Sequence, residues 1–190
     1  MSKDLQTVLN APSLAERLRG KSLTSAPGGS LAARIAERLK GRSKQSQCLL
    51  LDVSGSMESN CGDGRSKLAA LKAIAQEFLG TRQFSFSDEC VERPPQYAES
   101  NTNMARAFAT IKSAGITHVV LITDGQPDSE DAALRAAVGL TIDIVYVGPQ
   151  PEPPFLARLA QLTGGQYGAG SLAQQKQIEQ RVHQLLLEKK

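Results

Sequence analysis

From residue 47 onward the chain alternates two kinds of apolar pattern. Gln47–Val53 (QCLLLDV), Thr117–Thr123 (THVVLIT) and Thr141–Val147 (TIDIVYV) are short and nearly continuous apolar runs. That pattern predicts strands buried on both faces. Arg82–Ser87 alternates Phe84 and Phe86 with polar neighbours, and Cys90–Pro94 predicts a short edge strand that Pro94-Pro95 ends. Between them, apolar positions recur at the helical period. Ser66–Leu79 carries Leu68, Leu71, Ala75, Phe78 and Leu79, and Asn103–Ala114 carries Met104, Ala107, Phe108 and Ile111. Glu130–Val138 and Phe155–Leu162 continue the series, the latter stopped by Gly164-Gly165. Residues 171–189 predict a last amphipathic helix, with Leu172, Ile178, Val182, Leu185 and Leu186 on one face. Strands alternating with helices imply βαβ units, and right-handed crossovers place helices on both faces of a mostly parallel sheet.

Residues 1–46 read differently. Residues 14–22 (LAERLRGKS) return at 35–43 as IAERLKGRS. Ser13 with Glu16 fits a capping box, Ser30 follows the breaker Pro27-Gly28-Gly29, and Gly20 and Gly41 are natural stops. Two copies are too few for a solenoid, which needs about three. The predicted organisation is a basic helical arm over 1–46 and a body over 47–190 that includes the C-terminal helix. Charge supports that division. The arm holds nine Lys/Arg and three Asp/Glu, whereas the body holds thirteen and sixteen. Such an arm can pack on its own body, dock on a partner through residues 13–43, or touch nucleic acid or an acidic membrane surface.

Composition narrows the classes further. Apolar residues make up 41% and charged residues 22% of 190 positions, which excludes collagen, low-complexity disorder and a heptad rod. No window approaches about 18 consecutive apolar residues, so no membrane span is expected. No charged-then-apolar leader pattern opens the chain, and the three cysteines (Cys48, Cys61, Cys90) form no CxxC. Both points lead to the expectation of a reducing, cytoplasmic setting. Trp is absent and aromatics are 4%, which disfavours a stacking platform for single-stranded nucleic acid.

The chemistry gathers at predicted strand ends. The first buried run ends in Asp52-Val53-Ser54-Gly55-Ser56, the second in Thr123-Asp124-Gly125, and Asn101-Thr102-Asn103 opens a helix. In an open parallel sheet, ligands bind at the carboxyl ends of the strands beside the topological switch point. These loops offer hard oxygens only: the carboxylates of Asp52 and Asp124 and the hydroxyls of Ser54, Ser56 and Thr102. That set suits a hard divalent cation such as Mg²⁺, with Mn²⁺ or Ca²⁺ as alternatives, and serves soft metals poorly. His118 opens a strand and His183 lies in the last helix, so both are expected to be structural. Cys61 lies in the loop beyond the site as an ordinary exposed thiol, and Asp63, Asp88, Glu89 and Glu92 supply an acidic rim or a solvated surface.

Taken in order, DxSxS at 52–56, Thr-Asn at 102–103 and TDG at 123–125 resemble the metal-ion-dependent adhesion site of von Willebrand factor A domains. The resemblance covers residues 47–170 or so. Phe86-Ser87-Asp88 resembles the end of the family's second strand, and residues 156–167 (LARLAQLTGGQY) resemble its last helix and closing strand. It therefore implies an α/β, Rossmann-like, doubly wound and mostly parallel six-stranded sheet with one short antiparallel edge strand. One departure is visible: the Gly-Gly often found before the family's threonine is Ser100-Asn101 here.

By the resemblance, Ser54 and Ser56 bind the metal through their hydroxyls, Thr102 joins when a ligand is present, and Asp52 and Asp124 act partly through waters. A coordination position stays open for an Asp or Glu of a partner protein. The expected role is thus a metal-dependent protein-binding module and not an enzyme. Members inside cells often serve AAA+ ATPases or other multi-subunit machines, which makes an adaptor role the expectation. The alternatives are a nucleic-acid-associated protein using its basic arm, or a metal-dependent hydrolase. An acid/base carboxylate two residues after Asp52 would favour hydrolysis, but Ser54 stands there.

Overall fold

The computed structural model of the chain describes residues 46–188. The arm, its repeat and the docking surface expected over 13–43 lie outside the described residues. Six strands form one sheet: β1 (Gln47–Asp52), β2 (Arg82–Phe86), β3 (Cys90–Val91), β4 (His118–Thr123), β5 (Thr141–Tyr146) and β6 (Tyr167–Ala169). Their spatial order is β3-β2-β1-β4-β5-β6. All neighbours are parallel except β2 and β3, which pair antiparallel through Ser85 with Val91 and Phe86 with Cys90. The fold class is therefore the one expected: α/β, doubly wound and mostly parallel. The predicted edge strand over Cys90–Pro94 shrinks to Cys90–Val91. The Arg93 N–H turns back onto the Val91 carbonyl at 3.0 Å, and Pro94 offers no N–H to extend a ladder.

Among the described residues, five α-helices flank the sheet: α1 (Lys67–Glu77), α2 (Met104–Ser113), α3 (Glu130–Ala137), α4 (Pro154–Leu162) and α5 (Gln175–Glu188). The final helix begins later than the expected residue 171. Leu172–Gln174 forms a separate 3₁₀ turn, whose Ser171 hydroxyl accepts the Ala173 N–H. Alternate strand residues feed two cores. Cys48, Leu50, Phe84, Phe86, Val119 and Leu121 pack on one face against Met104 and Phe108 of α2, Ala133 of α3 and Leu156 of α4. Leu49, Leu51, Val120 and Ile122 pack on the other against Leu71 and Ile74 of α1 and Ile178 and Val182 of α5. Neither face of the central strands meets water, which explains their continuous apolar runs.

The chain runs outward from β1 through β2 to β3, then crosses back to β4 on the other side of β1. The switch point therefore lies between the carboxyl ends of β1 and β4. Leu51 is in register with Ile122, so Asp52 and Thr123 emerge side by side there. At the opposite end of β4, His118 Nε2 lies 2.5 Å from Asp143 Oδ2, and both residues are buried. His183 is exposed and packs its ring near Phe78. Neither histidine reaches the switch point.

Candidate metal centre

β1 delivers Asp52 to the switch point fully buried. Its Oδ1 accepts the Ser54 N–H at 2.8 Å, and its Oδ2 accepts the Thr123 hydroxyl at 2.5 Å. Burial pushes the Asp52 carboxyl up from 3.8 to about 6, against the hydrogen bonds from Ser54 and Thr123, with a further upward push from the Asp124 charge. The bare anion is thus disfavoured where it stands, and a cation beside it relieves that cost.

After Asp52 the chain leaves the sheet. Ser54 bridges to Glu99, and residues Gly55–Glu58 make a 3₁₀ turn. The Met57 N–H closes the turn on the Ser54 carbonyl at 2.9 Å, while the Met57 side chain is wholly buried in the core under α1. Met57 pins the turn from beneath, and the turn presents Ser56 outward. A Cβ on Gly55 would stand 3.4 Å from the Glu99 carbonyl, so the backbone passes close there.

The hydroxyls then form a chain. Ser54 Oγ lies 3.1 Å from Ser56 Oγ, and Ser56 donates to Asp124 Oδ1 at 2.6 Å. Asp52, Ser54, Ser56 and Asp124 are therefore one connected set. Thr102 is near it but not bonded into it: its Oγ1 lies 3.9 Å from where a Cβ on Gly125 would stand. Its loop is fastened from two sides. Asp128 Oδ1 accepts the Thr102 N–H at 3.2 Å, and the Asp128 N–H reaches back to the Thr102 carbonyl at 3.1 Å. Asp88 accepts from the Asn101 amide at 2.6 Å and the Ser100 hydroxyl at 3.3 Å. The two residues in place of Gly-Gly thus tether the threonine loop. Asn103 caps α2, accepting the Arg106 N–H at 3.0 Å.

No family model matches the chain, and no curated protein matches it. Solved structures do match. A von Willebrand factor type A protein from Catenulispora acidiphila aligns with TM-score 0.58 at 17% identity, over 72% of this chain and 41% of that one. The fold is that of von Willebrand factor A domains. Proximal thread matrix protein 1 from the mussel byssus aligns in two structures at 17% identity, over 72% of this chain and 44% of that one. Their TM-scores are 0.49 and 0.48, and the second has a zinc-occupied site of the metal-ion-dependent type. The present chain spans about two fifths of the bacterial protein it matches.

Within this fold the donor set fits a hard cation. Among the described residues, no group of three or more His, Cys, Asp and Glu gathers as a metal cluster; the donors gathered here are two carboxylates and the hydroxyls of Ser54 and Ser56. Neighbouring ligands of an octahedral Mg²⁺ at 2.0–2.1 Å stand about 2.9 Å apart. The Ser54–Ser56 and Ser56–Asp124 separations of 3.1 and 2.6 Å bracket that edge length.

Two further participants stand beside the five candidate oxygen donors. Thr123, the last residue of β4, fixes the inner oxygen of Asp52. Lys67, the first residue of α1, sets its Nζ 2.5 Å from Asp124 Oδ2, with the lysine side chain 13% exposed and the aspartate fully covered. One sequence signal does point to Lys67: a cation at a helix start opposes the helix dipole. Of the expected acidic rim, Asp63 holds Arg65 at 2.6 Å, which keeps its carboxyl well below the usual range, and Glu89 holds Arg106 at 3.2 Å. Glu92 does not belong to the rim: it holds Arg82 at 2.7 Å at the amino end of β2, beside Cys48 in register and away from the strand ends that carry the site. Cys61 donates to Asp63 at 3.0 Å, and partial burial with that bond raises its thiol. It is a poor candidate for a reactive thiolate.

Proposed function

We propose that this chain is a metal-dependent protein-binding module. A divalent cation, Mg²⁺ in our reading with Mn²⁺ or Ca²⁺ as substitutes, is held by Ser54 and Ser56, with Asp52, Asp124 and Thr102 completing and orienting the set. When bound, the cation supplies positive charge that an acidic side chain of a partner protein can meet. The observation that carries this reading is the connected set Asp52–Ser54–Ser56–Asp124, gathered from two strand ends at the switch point, in which the Ser54–Ser56 and Ser56–Asp124 oxygens stand near an octahedral edge apart.

The residues around the site favour capture over hydrolysis. A serine nucleophile needs a base that can take its proton. The Ser56 hydroxyl donates to Asp124, but that carboxylate is already committed to the Lys67 ammonium. Both histidines lie elsewhere. The module is read as an adaptor in a larger intracellular assembly, with a AAA+ ATPase as one class of partner. A role for the basic arm in gripping that assembly or nucleic acid concerns residues outside the described ones.

The test is capture by the immobilised full chain in Mg²⁺ and in EDTA. A specific protein should be retained in Mg²⁺, released by EDTA and displaced by free glutamate, and Ser54→Ala should retain none of it. Identical retention in EDTA, or by the Ser54→Ala chain with its fold intact, overturns the reading.

A further inference from the structure

Lys67 is not accounted for by a metal site alone. It is placed with care: the Ser66 hydroxyl caps α1 by accepting the Ala69 N–H, and the Lys67 N–H is tied to the Ser59 carbonyl at 2.9 Å. The loop before it is closed by the Asn60–Ser66 bridge. The first turn of α1 carries no acidic residue, so the helix start offers the ammonium no local partner. A cation there works against the helix dipole. The lysine instead reaches across to the end of β4 and takes Asp124 Oδ2, leaving Asp124 Oδ1 to Ser56.

This contact changes the charge balance of the site. Asp52 and Asp124 together carry two negative charges when ionised, which a divalent cation alone would neutralise. With Lys67 in contact with Asp124, the set carries one net negative charge before the metal arrives and one net positive charge after. A divalent cation would meet a neighbouring ammonium there, and Lys67 would leave the filled site with a positive excess. In a partly covered site such like-charge repulsion is weakly screened. An incoming carboxylate removes the excess.

We infer that Lys67 is a built-in counter-cation that weakens divalent binding to the empty module and makes it conditional on an acidic guest. The inference rests on the metal-binding reading and adds its regulation. Metal and carboxylate each raise the other's affinity, since coupling between two ligands is reciprocal. The module then discriminates against neutral guests, because only an anion restores charge balance.

The experiment is Mn²⁺ binding to the full chain by calorimetry, in sodium acetate and in sodium chloride of equal ionic strength. For the unaltered chain, acetate should tighten Mn²⁺ binding by about tenfold, within the usual span of coupling between sites. Lys67→Gln should bind Mn²⁺ about tenfold more tightly in chloride, and acetate should then add little. Lys67→Met should behave as Lys67→Gln, which guards against a folding defect in either one. Lys67→Arg, which keeps the charge, should retain the coupling. If the unaltered chain binds Mn²⁺ but Lys67→Gln and Lys67→Met bind it no more tightly, or keep the full effect of acetate, then Lys67 is only a brace between α1 and β4. The metal-binding reading survives that result. If no chain binds Mn²⁺ in either salt, the metal reading falls and this inference falls with it.

Discussion

Asp52→Asn is expected to weaken divalent-cation binding by at least about a hundredfold while leaving the chain folded. The loss is at or beyond the upper end seen when a carboxylate supporting a metal site is removed, since here it also takes away half of the site's negative charge. The tolerance has an equally definite cause. Asp52 is wholly buried, and its ionisation is already opposed by that burial. An amide of the same shape removes the opposed charge and keeps both contacts. Its oxygen can accept the Ser54 N–H, and its NH₂ can donate to Thr123 Oγ1. The Thr123 hydroxyl then turns to the Gly125 carbonyl, 3.4 Å away. Calorimetry with Mn²⁺ reads the first effect and thermal melting in EDTA reads the second. A variant that melts with the unaltered chain and binds Mn²⁺ as well would remove Asp52 from the site.

Gly165→Ala is expected to be the most damaging glycine-to-alanine change among the described residues. A Cβ at 165 would stand 1.8 Å from the Ile142 carbonyl oxygen and 2.4 Å from its carbon, both backbone atoms of β5. β5 cannot yield. Its Ile144 N–H bonds the Gln166 carbonyl at 2.7 Å, and Asp143 accepts the Gln166 N–H at 2.7 Å. The Gly165 N–H itself closes α4 on the Ala160 carbonyl at 2.8 Å. Relief requires β6 to leave the sheet. The expected loss is about 4 kcal/mol or more, with melting lowered by roughly 10 °C or outright failure to fold. The adjacent Gly164 is the internal control. Its φ is +68° and a Cβ built there would meet nothing within 4 Å, so Gly164→Ala adds backbone strain without a clash and should cost about 1–2 kcal/mol. Comparable melting of the two variants would contradict the steric account.

The two glycines also show what a sequence discloses. Gly164-Gly165 reads as a helix stop, and α4 does end at Leu162. That one glycine serves backbone conformation and the other a close approach to β5 emerges only when the layers are assembled. The buried strands are legible because both faces of β1, β4 and β5 are covered, leaving their apolar runs almost uninterrupted. Their order across the sheet depends on pairing, which the runs do not encode. Leu172–Gln174 reads as part of the last helix because Leu172 shares its apolar face, packing in the same core as Ile178 and Val182. At the site, residue types name the chemistry. Asp52, Ser54, Ser56 and Asp124 are close to one another in chemical kind and prove close in space. Thr102 is held by backbone contacts to Asp128 that no local pattern announces. Lys67 and Asp124 meet across 57 positions, and a cation at a helix start marks Lys67 without naming its partner.

Diffraction from crystals soaked in Mn²⁺ tests the central claim most directly, through the anomalous signal of the metal. A single peak should stand within coordinating distance of Ser54 Oγ and Ser56 Oγ, beside Asp52 and Asp124. No peak between those side chains, with Ser54, Ser56 and Asp124 still hydrogen-bonded to one another, would contradict it.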